Sequence, residues 1–454
     1  MSTSQPKSPL LEMLADEAAK AQSDETRDER QVEQPMTLEE PELLTAIRTI
    51  PAEVLSRIFN SVPPNDLSFL PASVSWGPSN ISPSWRAFVN STPSMWSNLN
   101  FPLSLSEVGV SDQRYLELAG IVLDRSGTHP LDISIDLEKT DISINILRLL
   151  SCHAQQWRKV ELHGSCPFGF ASTLSPIKGN LGNLESLTIT LLLPRHLDVF
   201  RDAPRLQEVY LRLHSECDID LPYSQLRSFT SNLLPSDPIT FLRSCPHLSE
   251  FGYVGENEPR VEGHAYDVQF LNLLWLSVSH PSVLHRLPTP GLKELKYHLS
   301  NDVDTVLNFL AISRCDLTCL GIAWTSHDFF EPGPFVTLLQ NLPNLEHLKI
   351  YDLLSYQDEH FDVYETLRLG NGAYNLVPEL QELTLDTYNP SIFNPDEYPE
   401  GPDLFESVML SRVGRLRRLT LVHCLKDIPQ CVENLMKAGI DVVVTWDRNM
   451  ELQF

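Results

Sequence analysis

Leu345-Glu346-His347-Leu348-Lys349-Ile350 displays the pattern on which the fold turns: an apolar residue, two variable ones, an apolar, one variable, and a third apolar. The same spacing recurs at Leu184/Leu187/Ile189, Leu206/Val209/Leu211, Leu248/Phe251/Tyr253 and Leu273/Leu276/Val278. It continues at Leu292/Leu295/Tyr297, Leu317/Leu320/Ile322, Leu380/Leu383/Leu385 and Leu416/Leu419/Leu421. Leu226 with Phe229 is a shorter member, and Ile440, Val442 and Val444 read as a closing strand. The last two apolar positions are two apart, so both point to one face of a short strand. The first then packs under the turn that precedes it. A strand this short cannot bury its apolar side chains alone, so neighbouring units must stack.

The intervals carry the argument further. Leu184 to Leu206 spans 22 residues, Leu292 to Leu317 spans 25, and Leu345 to Leu380 spans 35. Most lie near the roughly 20–29 residues of leucine-rich repeats. A proline stands two residues before the first leucine in Ala203-Pro204-Arg205-Leu206, Cys245-Pro246-His247-Leu248 and Leu342-Pro343-Asn344-Leu345. The chain is therefore expected to be α/β, with residues 106–454 forming an irregular leucine-rich-repeat solenoid, a horseshoe of short parallel strands. The regular repeat sets Asn or Cys three positions beyond the last apolar residue. Here those places hold Leu192, His214, Glu256, Ser300, Thr325, Leu353 and Tyr388, and only Cys424 fits. That predicts an uneven stack, poor in side-chain ladder bonds.

Ahead of the regular units, Tyr115 to Asp124 and Ile142 to Leu150 read as helices, Leu131/Ile133/Ile135 as a strand, and Trp157/Val160/Leu162 as the close of that unit. Residues 1–42 are polar and acidic, an expected disordered tail. Residues 43–105 hold a small all-helical module. Ile50 to Phe59 forms one helix, with Pro51 in its first turn and Glu53 near its positive end. Ser82-Pro83 opens a second, with Trp85, Phe88 and Val89 on one face and Trp96 and Leu99 beyond it.

The chain has 454 residues, with 34 Lys plus Arg against 60 Asp plus Glu, a formal net charge of -26. So acidic a surface repels phosphate backbones and anionic lipid, which argues against nucleic acid and membrane as partners. No run approaches the roughly 18 apolar residues of a membrane span. The first thirty residues lack the apolar stretch of a signal peptide. The 8 cysteines have no regular spacing and fit free thiols in a reducing compartment, so a cytoplasmic or nuclear location is expected.

Ile50-Pro51-Ala52-Glu53-Val54-Leu55-Ser56-Arg57-Ile58-Phe59 resembles the opening of an F-box, Leu-Pro-x-Glu-x-Leu-x-x-Ile-Phe, with Ile50 in place of the usual leucine. Ile81-Ser82-Pro83-Ser84-Trp85-Arg86-Ala87-Phe88 and Ser91-Thr92-Pro93-Ser94-Met95-Trp96 resemble its second half, a Val-Cys-x-x-Trp-Arg helix leading to a Ser-Thr-Pro-x-Leu-Trp segment. With leucine-rich units behind it, the chain is similar to fungal F-box proteins of the leucine-rich-repeat type. The resemblance implies docking on a Skp-type adaptor, and through it a cullin, while the rest of the chain captures a protein target. It places Pro51, Leu55, Ile58 and Phe59 at or behind the adaptor contact. The alternative is a ubiquitin-independent scaffold in which these side chains are only the core of an N-terminal cap.

No phosphate loop, Gly-x-Ser-x-Gly or His-Glu-x-x-His motif occurs, and the cysteine–histidine approaches lack zinc spacing. No catalytic residue, metal or cofactor is expected, and the chain reads as a binding protein rather than an enzyme. The two longest gaps combine aromatics with acids: Tyr356 and Phe361 around Asp358-Glu359, then Tyr388, Phe393 and Tyr398 around Asp396-Glu397. They read either as a surface for a basic target or as irregular turns tucked onto the stack.

Overall fold

The computed structural model describes Pro51, Val54 and residues 83–101, 112–137, 141–165, 168–192, 196–213, 218–234, 237–255, 270–299, 303–324, 332–351, 364–370, 375–386, 401–422 and 429–445. Two compact units divide these, one ending at His129 and the other beginning at Pro130.

The smaller unit holds helix α1 (Pro83–Ser91), a 3₁₀ turn (Pro93–Trp96), strand β1 (Asn98–Phe101) and helix α2 (Asp112–Ser126). Proline suits both starts, because its missing N–H would have no partner in a first turn. Trp85, Val89 and Trp96 are buried together, as the sequence pattern required, and Phe88 is only half-buried. The Trp96 indole N–H donates to the Val89 carbonyl at 2.8 Å, which fixes the turn under the end of α1. Arg125 of α2 lies 4.5 Å above the same indole ring, a cation–π contact. Phe101 and Tyr115 meet edge to face at 6.3 Å.

The larger unit is one parallel sheet with a back layer of helices and short strands. β2 (Leu131–Leu137), β3 (Trp157–Gly164) and β4 (Ser186–Thr190) open it. After the short back strand β5 (His196–Leu197) comes β6 (Glu208–Leu211), and after β7 (Asp218–Ile219) comes β8 (Ser228–Ser231). The sheet continues through β9 (Glu250–Tyr253), β10 (Trp275–Val278), β11 (Glu294–Leu299) and β12 (Cys319–Trp324). It ends with β13 (His347–Tyr351), β14 (Glu382–Asp386), β15 (Arg418–Val422) and β16 (Asp441–Thr445). The strands lie side by side in chain order, with only β5 and β7 apart as a two-stranded pair. Consecutive parallel neighbours of this kind make a repeat stack.

The register matches the sequence pattern. Leu187 pairs with Val209, Val209 with Phe229 and Phe229 with Phe251. The column runs on through Leu276, Leu295, Leu320, Leu348, Leu383 and Leu419 to Val442. Every one is buried except Val442 at the edge strand, and the first leucines Leu184, Leu206, Leu226, Leu292, Leu345 and Leu380 are fully buried beside them. The amide of most first leucines bonds three residues back, as in Leu206 to Ala203, Leu248 to Cys245, Leu345 to Leu342 and Leu380 to Val377, while that of Leu416 reaches four back to Arg412. Pro204, Pro246, Pro343 and Pro378 therefore occupy the second position of a reverse turn, where their fixed φ is already correct.

The ladder lies where the consensus does not look for it. The residue after each first leucine donates its amide to the equivalent carbonyl one repeat back. Gln207 bonds Glu185, Arg227 bonds Gln207, Ser249 bonds Arg227 and Leu274 bonds Ser249. Lys293, Thr318, Glu346, Gln381, Arg417 and Asp441 continue the series at 2.7–2.9 Å. Side chains add to it at the same end of the strands: Asn183 donates to the Gln155 carbonyl, Asn272 to that of Pro246, and Gln225 to those of Ala203 and Leu206. The expected scarcity at the far end holds in part. Leu192 is exposed, but Asn232 bonds both the amide and the carbonyl of Leu213 at 2.7 Å. The other far-end positions, His214 through Cys424, lie outside the described residues.

The back layer varies from repeat to repeat. The repeats on either side of Leu206 carry β5 and β7, whose Leu197 and Ile219 are buried. Other repeats form helices: α3 (Asp141–Ser151), α4 (Phe170–Leu174), α5 (Pro238–Ser244), α6 (Val303–Ser313), α7 (Pro332–Gln340), α8 (Gly401–Leu410) and α9 (Gln430–Lys437). Asp237 caps α5, its carboxylate accepting from the amides of Ile239 and Thr240, with Pro238 next in line.

Arg412, beyond α8, is buried without a carboxylate. Its guanidinium donates to the carbonyls of Leu367 at 2.5 Å, Leu376 at 2.8 Å and Val377 at 3.0 Å. Val377 has φ 40, left-handed and costly for a β-branched side chain. Three charged bonds hold that segment in place. Burial, with Arg415 nearby, lowers the Arg412 pKa to about 10, so the group stays charged at neutral pH. Arg412→Leu should strand these carbonyls and lower stability by about 3 kcal/mol or more. Urea unfolding followed by circular dichroism measures this. Arg412→Lys should restore only part of the loss, because an ammonium lacks the planar fork.

Candidate functional site

Side chains that alternate with the buried column lie on the sheet's other face. The first strand position brings Glu208, Ser228, Glu250, Trp275 and Glu294 together as successive register partners. Glu208 and Glu250 are exposed and form no ion pair among the described residues. Trp275 is half-buried, with Glu250 on one side and Glu294 on the other. Adjacent strands lie about 4.8 Å apart, so the indole stands one strand from the unpaired Glu250, while Glu294 on its other side is paired with Lys349. Such a surface attracts a cation, because a ring quadrupole and fixed negative charges act in the same direction.

From β11 onward the face neutralises itself. Lys349 Nζ is 3.5 Å from Glu294 Oε1, and both side chains are 31% exposed. His347 Nδ1 is 3.1 Å from Glu382 Oε2, and its Nε2 is 3.9 Å from Glu346. Lys296 is only 4% exposed and stacks its ammonium 4.3 Å from the Tyr351 ring centre. Gly321 permits that crossing: a Cβ there would stand 3.1 Å from Lys296 Cγ and 3.4 Å from Tyr351 Cε2. The first stretch of the face, β6 to β10, is thus the part open to a cationic partner.

Among the sequence-predicted residues, Pro51 is exposed and its carbonyl accepts from the Val54 amide at 3.1 Å, as in a first helical turn. Leu55, Ile58 and Phe59 lie outside the described residues, as do Tyr356, Phe361, Tyr388, Phe393 and Tyr398. Trp275 was not among the residues singled out from the sequence. The signal was present: Trp275 falls one place before an inward leucine.

Among the described residues no group of three or more His, Cys, Asp or Glu side chains could hold a metal, and no helix is long and apolar enough to cross a membrane. Burial pushes the Cys245 and Cys431 thiols up to about 11 and Cys319 to about 12. No family model matches the chain, and no curated protein does. Among solved structures, the crystal structure of a TLR13-ssRNA13 complex aligns with 64% of this chain and 46% of that one, at 14% identity and a TM-score of 0.31. The chain thus spans under half the length of that protein, and the likeness assigns neither family nor ligand.

The thiol environments are checkable. In the native protein Cys152, which is exposed, should react rapidly with a thiol reagent, while Cys245, Cys319 and Cys431 should stay unmodified. Peptide mapping by mass spectrometry after timed alkylation reads this directly. Equal labelling of all four would contradict the packing.

Proposed function

We propose that this chain is a substrate-recognition subunit of a cullin–RING ubiquitin ligase. It binds a Skp-type adaptor through the F-box-like segment and a protein target through the repeat stack, with no catalysis of its own. The observation that carries the target half is the open face of the sheet, where Trp275 stands in register beside Glu250, with Glu208 two strands beyond. It favours a target presenting lysine or arginine. The adaptor half is supported by the residue pattern from Ile50 to Phe59 and from Ile81 to Trp96. Pro83 to Trp96, the described part of the second stretch, comprises α1 and the Pro93–Trp96 turn. In this reading Pro51, Leu55, Ile58 and Phe59 present or support an amphipathic helix in the adaptor's groove.

A second reading, a ubiquitin-independent scaffold, draws on the burial of Trp85, Val89 and Trp96 within the smaller unit. Those side chains serve a self-contained cap as well as an adaptor-binding module. Affinity purification with mass spectrometry separates the two, since adaptor plus cullin supports the receptor and their absence supports the scaffold.

Leu55→Asp should abolish adaptor co-purification while the circular dichroism spectrum of the repeat stack is retained. Adaptor recovery equal to wild type would refute the docking assignment. Independently, Glu208→Gln with Glu250→Gln should weaken capture of a basic target about fivefold, with no change in adaptor binding.

A further inference from the structure

The strand-start edge of the sheet is polar in every described repeat but one. The residue carrying the main-chain ladder is Gln207, Arg227 and Ser249 before β10, then Lys293, Thr318 and Glu346 beyond it. At β10 itself it is Leu274, 50% exposed. Three residues earlier, Leu271 is 64% exposed where equivalent turns carry Pro204, Pro246 and Pro343. Neither leucine supports the core, so this apolar surface contributes little to folding and invites burial from outside.

Beside Leu271 lies a groove of about 330 Å³, lined by Leu242, Arg243 and Pro246 from one repeat and Phe270, Leu271 and Asn272 from the next. The Asn272 side chain donates to the Pro246 carbonyl at 3.0 Å and ties these two segments together. The space suits one or two side chains, at the small end of ligand-sized pockets of roughly 300–1,000 Å³. Arg243, in the last turn of α5, is exposed and has no ion pair among the described residues. Arg227 is exposed on the same strand-start edge. In a chain of net charge -26, Arg243 at the lip of an apolar groove makes a local basic spot.

We propose that this groove docks an acidic segment of a partner protein. A leucine or isoleucine side chain enters against Leu271, and a neighbouring carboxylate pairs with Arg243. The site is separate from the open sheet face and does not depend on the ubiquitin-ligase reading. Charge complementarity selects this occupant, because the rest of the acidic chain repels the same segment and leaves Arg243 to orient it.

The test uses the full chain and a fluorescein-labelled peptide of four Glu-Leu repeats, followed by fluorescence anisotropy. Arg243→Glu and the double change Leu271→Ser with Leu274→Ser should each weaken binding at least about fivefold. Arg148→Glu, the same charge change on exposed α3, should leave binding within about twofold. Because the substituted side chains are exposed, the thermal melt should not move. A four-fold Glu-Ser peptide should bind at least about fivefold more weakly than Glu-Leu. Equal binding of the two peptides, or equal loss in Arg148→Glu, overturns the proposal. So does sedimentation showing a wild-type dimer that the double leucine change dissociates, since the groove would then belong to a second copy.

Discussion

Everything in the larger unit depends on one bond repeated at a fixed place: the amide after each first leucine reaching the carbonyl of the repeat before. It sets neighbouring strands in parallel register before any side chain is considered. That register stacks Leu187 beneath Val209, Phe229 and Phe251, and so on to the edge. Because strand side chains alternate, the same register fixes what the opposite face displays. A slip of one residue would send Leu276 outward and Trp275 into the core. The reverse turn with its proline is what places the donating amide, so core, ladder and open face share one local cause.

The open face is electrostatically divided. Between β6 and β10 the described carboxylates lack basic neighbours on the same row, whereas from β11 onward Lys349 and His347 stand beside Glu294 and Glu382, and Lys296 lies over the Tyr351 ring. A buried ammonium is tolerable only with compensation, and the Tyr351 ring provides part of it. Gly321 allows the Lys296 stem to cross, so a missing side chain on one strand serves a charged one on the next. The two halves of one sheet thus differ in what they offer a partner, although their backbones are equivalent.

Much of the larger unit was legible in the sequence, because leucine spacing and turn prolines report directly on strand register and turn position. Tyr115, Leu131 and Ile142 also fell in the elements expected of them. The main-chain ladder was not foreseen, because consensus reasoning looks for an Asn or Cys side chain and main-chain bonds leave no residue type to read. Arg412 was invisible for another reason: its carbonyl partners lie 35 to 45 residues away in sequence and carry no signature. Likewise, the five loop aromatics were chosen for composition, while Trp275 gains its setting only from neighbours two strands apart. Recognition chemistry made across strands is not written along the chain.

The turn-and-ladder device has a consequence for change over time. Register is settled by a few residues around each first leucine, so the back segment is left out of that decision. Repeat length already ranges from the 19 residues between Leu273 and Leu292 to the 36 between Leu380 and Leu416. Doubling a flexible connection costs only about 0.6 kcal/mol in closure entropy. Insertions behind the sheet are thus nearly neutral, while a single deletion ahead of a strand shifts every side chain on it. The molecule combines a tightly constrained front with a permissive rear, and new material enters from behind.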